Sequence, residues 1–163
     1  MLRQFATFYL GDNLYGIDVL LIREINQNIF ITEVDPSPDY IVGLMNLRGQ
    51  IVTIADLKVK LGVENEIDII PGANCIVLKT DAELDRLRDE GLNVGTTSKD
   101  MVGLMVDKIG DMITVDEEEM EPPPANVFGV DCYYIKGVIK LDRQLLVVLN
   151  INNVLSMENM YGK

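Results

Sequence analysis

No histidine occurs among the 163 residues of this chain, and that absence excludes more chemistry than any other. It removes Ser/His/Asp and Cys/His nucleophile pairs, every His-containing metal site and any phosphorylatable histidine. Cysteine is nearly as scarce. Cys75 and Cys132 stand far apart with no C-x-x-C or Cys/His spacing, so they are expected as core thiols in a reducing compartment. Positive charge is short as well: 14 Lys and Arg face 26 Asp and Glu, for a net −12. That is the wrong sign for a phosphate-backbone ligand, and no nucleic-acid partner is expected. No run approaches the roughly eighteen uninterrupted apolar residues of a membrane span. The opening MLRQFATFYLGDNLYG has neither the long apolar stretch nor the cleavage site of a signal peptide, which places the protein in the cytoplasm without direct membrane insertion.

For catalysis there remain carboxylate pairs, lysine or a bound ion. The densest acidic clusters are Asp116-Glu117-Glu118-Glu119 and DAELDRLRDE. Neither has the spacing of a calcium loop, and both read as solvated faces. GLNVG lacks the third glycine of a dinucleotide fingerprint and the GK[ST] ending of a P-loop. No catalytic residue, cofactor or metal site is predicted.

What is present is a series of short strands. FATFYLG, YGIDVLLIREI, ITEV, YIVGLMNL and QIVTIADL are β-prone runs broken by Gly, Pro, Asn or Asp. A second series opens at Cys75 with CIVLKT and continues through MVGLMVDKIGDMITV, YYIKGVIKL and QLLVVLNI. The two series match: residues 40–50, YIVGLMNLRGQ, align without a gap on residues 134–144, YIKGVIKLDRQ. Each Tyr-Ile-x-Gly follows a proline-bearing acidic connection, where proline keeps the chain out of a central ladder. The pattern is an internal duplication of a small β unit, giving a mainly β chain of two small barrels packed against each other. At this length the chain is about one domain.

Arg48-Gly49 falls between the apolar runs GLMNL and QIVTIADL, where it reads as the tip of a hairpin. Gly49 suits a positive φ at the second turn position. Arg48 answers no such need and is either a solvated charge or a presented contact. Because the second copy closes its tip with Asp142-Arg143, shape alone does not demand Asn-Leu-Arg-Gly. About twenty residues, TDAELDRLRDEGLNVGTTSKD, separate the strand runs CIVLKT and MVGLMVDKI. Asp81 is expected to cap a short helix there, with Leu84 and Leu87 as its apolar pair and Gly91 ending it. This insertion is either a surface elaboration or an added contact. INNVLSMENMYGK is expected to add a last helical turn.

The string IVGLMNLRGQIVTIADL, with YGIDVLLIREI upstream and VGLMVDKIGDMI downstream, resembles the CheW family, the adaptors of bacterial chemotaxis. The resemblance runs from about Phe5 to Leu155. It implies two five-stranded β-barrel subdomains around a shared apolar core, with one or two short helices. Residues 1–163 would form a single CheW-like domain, with intermixed subdomains at about 15–70 and 71–150. A strand at about 4–11 and a C-terminal segment at 151–163 would complete it. The family implies a non-catalytic adaptor that couples chemoreceptors to the histidine kinase CheA. Its partners would be the receptor's cytoplasmic signalling tip and the kinase's regulatory domain, and it would be recruited to receptor arrays at the inner membrane. A receptor-facing surface would include Ile22, Glu24, Gly43, Asn46, Leu47 and Arg48; no residues are assigned to the kinase. Two other functions stay open: the same module in another receptor–kinase pathway such as surface motility, and a carboxylate-based ion-binding protein or enzyme. With no kinase, receiver or dimerisation segment attached, a free-standing adaptor is the simpler expectation.

Overall fold

Strands dominate because the apolar runs are short, rich in Val, Ile and Leu, and closed at both ends by turn formers. The computed structural model describes residues 1–34, 39–64 and 72–156. In chain order the strands are β1 (Leu2–Leu10), β2 (Asn13–Asp18), β3 (Ile22–Asn26), β4 (Thr32–Glu33), β5 (Ile41–Leu47), β6 (Gln50–Asp56), β7 (Asn74–Leu78), β8 (Val102–Val106), β9 (Lys108–Asp116), β10 (Asn126–Val127), β11 (Val130–Asp131), β12 (Ile135–Lys140) and β13 (Leu145–Leu149). Helices α1 (Leu57–Lys60), α2 (Asp81–Asp89) and α3 (Ile151–Val154) interrupt them.

One sheet runs β3-β7-β8-β6-β5-β4. Its two ends, β3 and β4, belong to a single segment that leaves β7 and reaches β5, so the sheet closes on itself. The other runs β12-β13-β2-β1-β9. Past β9 the chain returns, and Glu121 and Val138 exchange two backbone hydrogen bonds of 2.8 and 2.9 Å that close this sheet as well. The mainly β fold of two small subdomains is as expected, but the sheets divide the chain elsewhere than at 15–70 and 71–150. Strand β7 pairs with β3 and β8 with β6, whereas β1 joins β9 and β2 joins β13.

The duplication extends well beyond the aligned string. Hairpins β5–β6 and β12–β13 carry a bulge at the same place, Ile41/Gly43 and Ile135/Gly137. Asp56 N–H donates to Tyr40 O at 2.7 Å, and Asn150 N–H to Tyr134 O at 2.9 Å. Those two residues then cap α1 and α3 with their side chains. Each second strand has a parallel neighbour, β8 for β6 and β2 for β13. The second copy therefore runs from β9 to α3 and takes its last two strands from the opposite end of the chain.

Burial on both faces explains why runs such as CIVL do not alternate with polar residues. Cys75 and Val77 of β7 face the interior of the first barrel, while Ile76 and Leu78 face a core shared by the two. Phe5, Leu14, Ile139, Leu146 and Val148 fill the second barrel. Each such residue contributes roughly 1.5–3 kcal/mol of transfer free energy. Lys60 links the halves: 8% exposed, its Nζ donates to Ser156 O at 3.0 Å and lies 4.5 Å from the centre of the Tyr40 ring. A cation just past the end of α3 meets the negative end of that helix.

Three local expectations need correction. Thr80, not Asp81, caps α2, because Thr80 and Glu83 form a reciprocal capping box; Gly91, at φ 88°, follows the helix as expected. Cys132 is exposed, since it starts a 3-10 turn capped by Asp131 at the surface; only Cys75 is a core thiol, its pKa pushed up to about 12 by burial. The acidic stretch is not wholly solvated, because Glu117 pairs with Arg3 and Asp116 with the chain's amino terminus. The expected last helical turn is α3; residues 157–163 of that stretch lie outside the described residues. The insertion reaches from one barrel to the other, with the Thr96 hydroxyl donating to Asn152 of α3.

Candidate functional site: the β5–β6 hairpin tip

The hairpin is held in register by its apolar residues. Val42, Met45 and Leu47 of β5 and Val52 and Ile54 of β6 all lie in the first barrel's interior, and a slip of one residue would expose them. With Leu47 paired to Gln50, Arg48 and Gly49 make up the whole turn. Both have positive φ, 50° and 87°, as two-residue hairpin turns of the I′ kind require. The sequence reading that the turn makes no demand on position 48 is thus corrected, because a left-handed φ there does not suit every polar residue. Asn, Asp and Gly suit it, whereas the left-handed region costs most side-chain-bearing residues of order 1 kcal/mol. Arginine stands there against its backbone preference.

Its guanidinium is used. Arg48 Nη2 donates to Glu24 Oε2 on β3 at 2.5 Å, with the two side chains 65% and 24% exposed. The hydrogen bond from Arg48 holds the Glu24 carboxyl below the usual glutamate range, against the opposing effect of partial burial. These residues meet because the segment carrying β3 and β4 wraps around the barrel. Glu24 Oε1 and Asn26 Oδ1, two residues apart on β3, are shielded from solvent and accept no hydrogen bond among the described residues, while the Asn26 side chain helps Arg48 hold the Glu24 carboxyl down.

The other expected residues divide by burial. Asn46 is exposed, and its Oδ1 accepts the Gly49 N–H at 2.9 Å. Ile22 is half-buried against the shared core. Leu47 is buried in the barrel interior and anchors the hairpin from within. Gly43 is buried under the neighbouring strand, and a Cβ there would lie 2.2 Å from Thr32 O. Glu24, Asn46 and Arg48 therefore form the surface, while Gly43 and Leu47 hold its shape.

One residue escapes the motif-based argument. Ile51, directly across from Asn46, is 62% exposed. Its signal is in the alternation: Ile51 and Thr53 share the face opposite Val52 and Ile54, leaving a β-branched apolar residue outside. On the same outer side, a cleft of about 240 Å³ is lined by Ile41, Thr53, Ala55, Val102, Leu104 and Val154. Among the described residues no cluster of three or more Cys, Asp or Glu could hold a metal ion. No helix among them is long and apolar enough to cross a membrane.

Residues 4–159 match the family model of the CheW-like domain. The chain is 31% identical over 158 residues to a chemotaxis protein CheW of Klebsiella aerogenes, covering 97% of this chain and 84% of that one. It is 27% identical over 157 residues to a chemotaxis protein CheW of Treponema pallidum, covering 96% and 84%. The crystal structure of the scaffolding protein TtCheW from Thermoanaerobacter tengcongensis superposes with a TM-score of 0.75 at 25% identity, over 96% of this chain and 90% of that one. With a family match over nearly the whole chain and the same two-sheet architecture, the protein belongs to the CheW-like domain family.

Proposed function

We propose that this chain is a non-catalytic adaptor coupling the cytoplasmic signalling tip of a chemoreceptor to the regulatory domain of the histidine kinase CheA. The observation that carries the receptor half of this reading is Arg48, kept in a left-handed turn and paired with Glu24 on an exposed corner. A helical partner docking there would find a planar guanidinium with donors beyond the one that Glu24 holds, and the apolar Ile51 beside it. Ile22, Glu24, Asn46 and Arg48 form the proposed receptor-facing surface, with Gly43 and Leu47 beneath it. In this reading the protein works in the cytoplasm, at receptor arrays.

Binding of wild type and Arg48→Ala to a receptor-tip fragment and, separately, to a CheA regulatory domain tests it. Circular dichroism checks that both proteins are folded. Receptor binding should weaken at least tenfold, about 1.4 kcal/mol, with kinase binding and fold unchanged. If the wild type binds neither partner, the module serves another pathway.

A further inference from the structure

We infer that Asn46 serves the receptor-facing surface as its positioning residue and not as a contact: exposed at the tip, it fixes Arg48 by locking the turn through its amide oxygen. The inference rests on the receptor reading above.

Three observations converge on it. First, the Asn46 oxygen is already engaged, accepting the Gly49 N–H at 2.9 Å. In a two-residue turn that N–H would otherwise point to water, and a side-chain acceptor three residues earlier turns a loose corner into a braced one. Second, the brace spans Arg48, the residue whose φ of 50° is the least favourable at the corner. A turn left to itself would relax toward conformations in which the arginine regains negative φ, and its guanidinium would leave Glu24. Third, the molecule contains its own control. Lys140 stands at the position equivalent to Asn46 and offers no acceptor; its Nζ pairs with Glu121 Oε2 at 3.4 Å. There neither Asp142 nor Arg143 has positive φ. Asparagine and a left-handed corner occur together in one copy of the hairpin, and both are missing from the other.

The alternative is that the Asn46 Nδ2 donates to the partner directly. Aspartate separates the two, because it keeps the acceptor and removes the amide donor. The experiment compares wild type, Asn46→Ala, Asn46→Asp and Arg48→Ala by two measurements: hydrogen exchange of the Gly49 amide in the free protein, and affinity for the receptor-tip fragment. Asn46→Ala should speed Gly49 exchange about tenfold and weaken receptor binding toward the Arg48→Ala level. Asn46→Asp should restore both. Poor binding by Asn46→Asp with Gly49 still protected would overturn the inference in favour of direct contact. Unchanged exchange in Asn46→Ala would overturn it outright. Should the wild type not bind the receptor fragment, the receptor reading fails, and the exchange rates alone decide whether Asn46 holds the turn.

Discussion

At equivalent corners of the two barrels the chain reverses in different ways. Between β5 and β6 it turns through Arg48-Gly49, both left-handed; between β12 and β13 it turns through 141–144, none of which is left-handed. The strands on either side share a bulge, a parallel neighbour, a side-chain cap and a helical turn. Closing such a hairpin therefore does not require a strained residue, since the second copy does without one. Strain that persists in one copy of a repeated unit points to a use for the side chain rather than for the turn.

The seams of the two barrels give the largest expected difference. A Cβ on Gly43 would lie 2.2 Å from the backbone oxygen of Thr32, whereas one on Gly137 would first meet the movable side chain of Met120, with Glu121 O at 2.9 Å. Gly43→Ala should cost about 3 kcal/mol and Gly137→Ala about 1 kcal/mol, read as shifts in the urea midpoint at constant slope. Equal costs would mean that the first seam yields as readily as the second, and its rigidity could not be invoked to hold the tip.

Next come the tips themselves. Arg48→Gly should leave the melting temperature unchanged or raise it by a degree or two, because glycine relieves the left-handed position and the exposed ion pair contributes little. The same change should weaken the receptor contact tenfold or more. Arg143→Gly should alter neither property. A loss of receptor binding in both variants would show that the corners are equivalent in use despite their different shapes.

The smallest effect concerns the caps, where an aspartate in one copy answers an asparagine in the other: Asp56 caps α1 and Asn150 caps α3. Asp56 is 1% exposed, its Oδ2 has no hydrogen-bond partner among the described residues, and burial raises its pKa. The folded chain thus holds this proton more tightly than the unfolded one. Stability should fall as pH climbs from the unfolded value, about 4, through the folded one. Asp56→Asn imitates the other copy and should lack this fall. Urea titrations at a series of pH values should give curves that meet in acid and separate above it, with the variant the more stable.

Much of this was readable before folding. The paired strings at Tyr40 and Tyr134 revealed the duplication because apolar spacing and turn residues are local properties, preserved in both copies. The Arg48-Gly49 corner was legible for the same reason. Other features depend on distant partners. Nothing near Leu2 or Asn13 says that β1 and β2 complete the barrel of β12 and β13, because that depends on pairing between opposite ends of the chain. Gly43 and Leu47 looked like members of a surface motif, yet their neighbours Thr32 and the barrel interior bury them.

By itself, then, the sequence determined the strand-rich composition, the repeated hairpin, the glycine at its corner and the lack of histidine-based chemistry, since these follow from residue type and short-range pattern. Tertiary structure decided what the corner presents. Only the wrapping of residues 22–33 from β7 to β5 brings Glu24 to Arg48, and only the closed barrel beneath fixes which side chains of "GLMNLRG" remain outside. Contact across a closed sheet depends on the register of every strand around it, a property of the whole ring that no short stretch encodes.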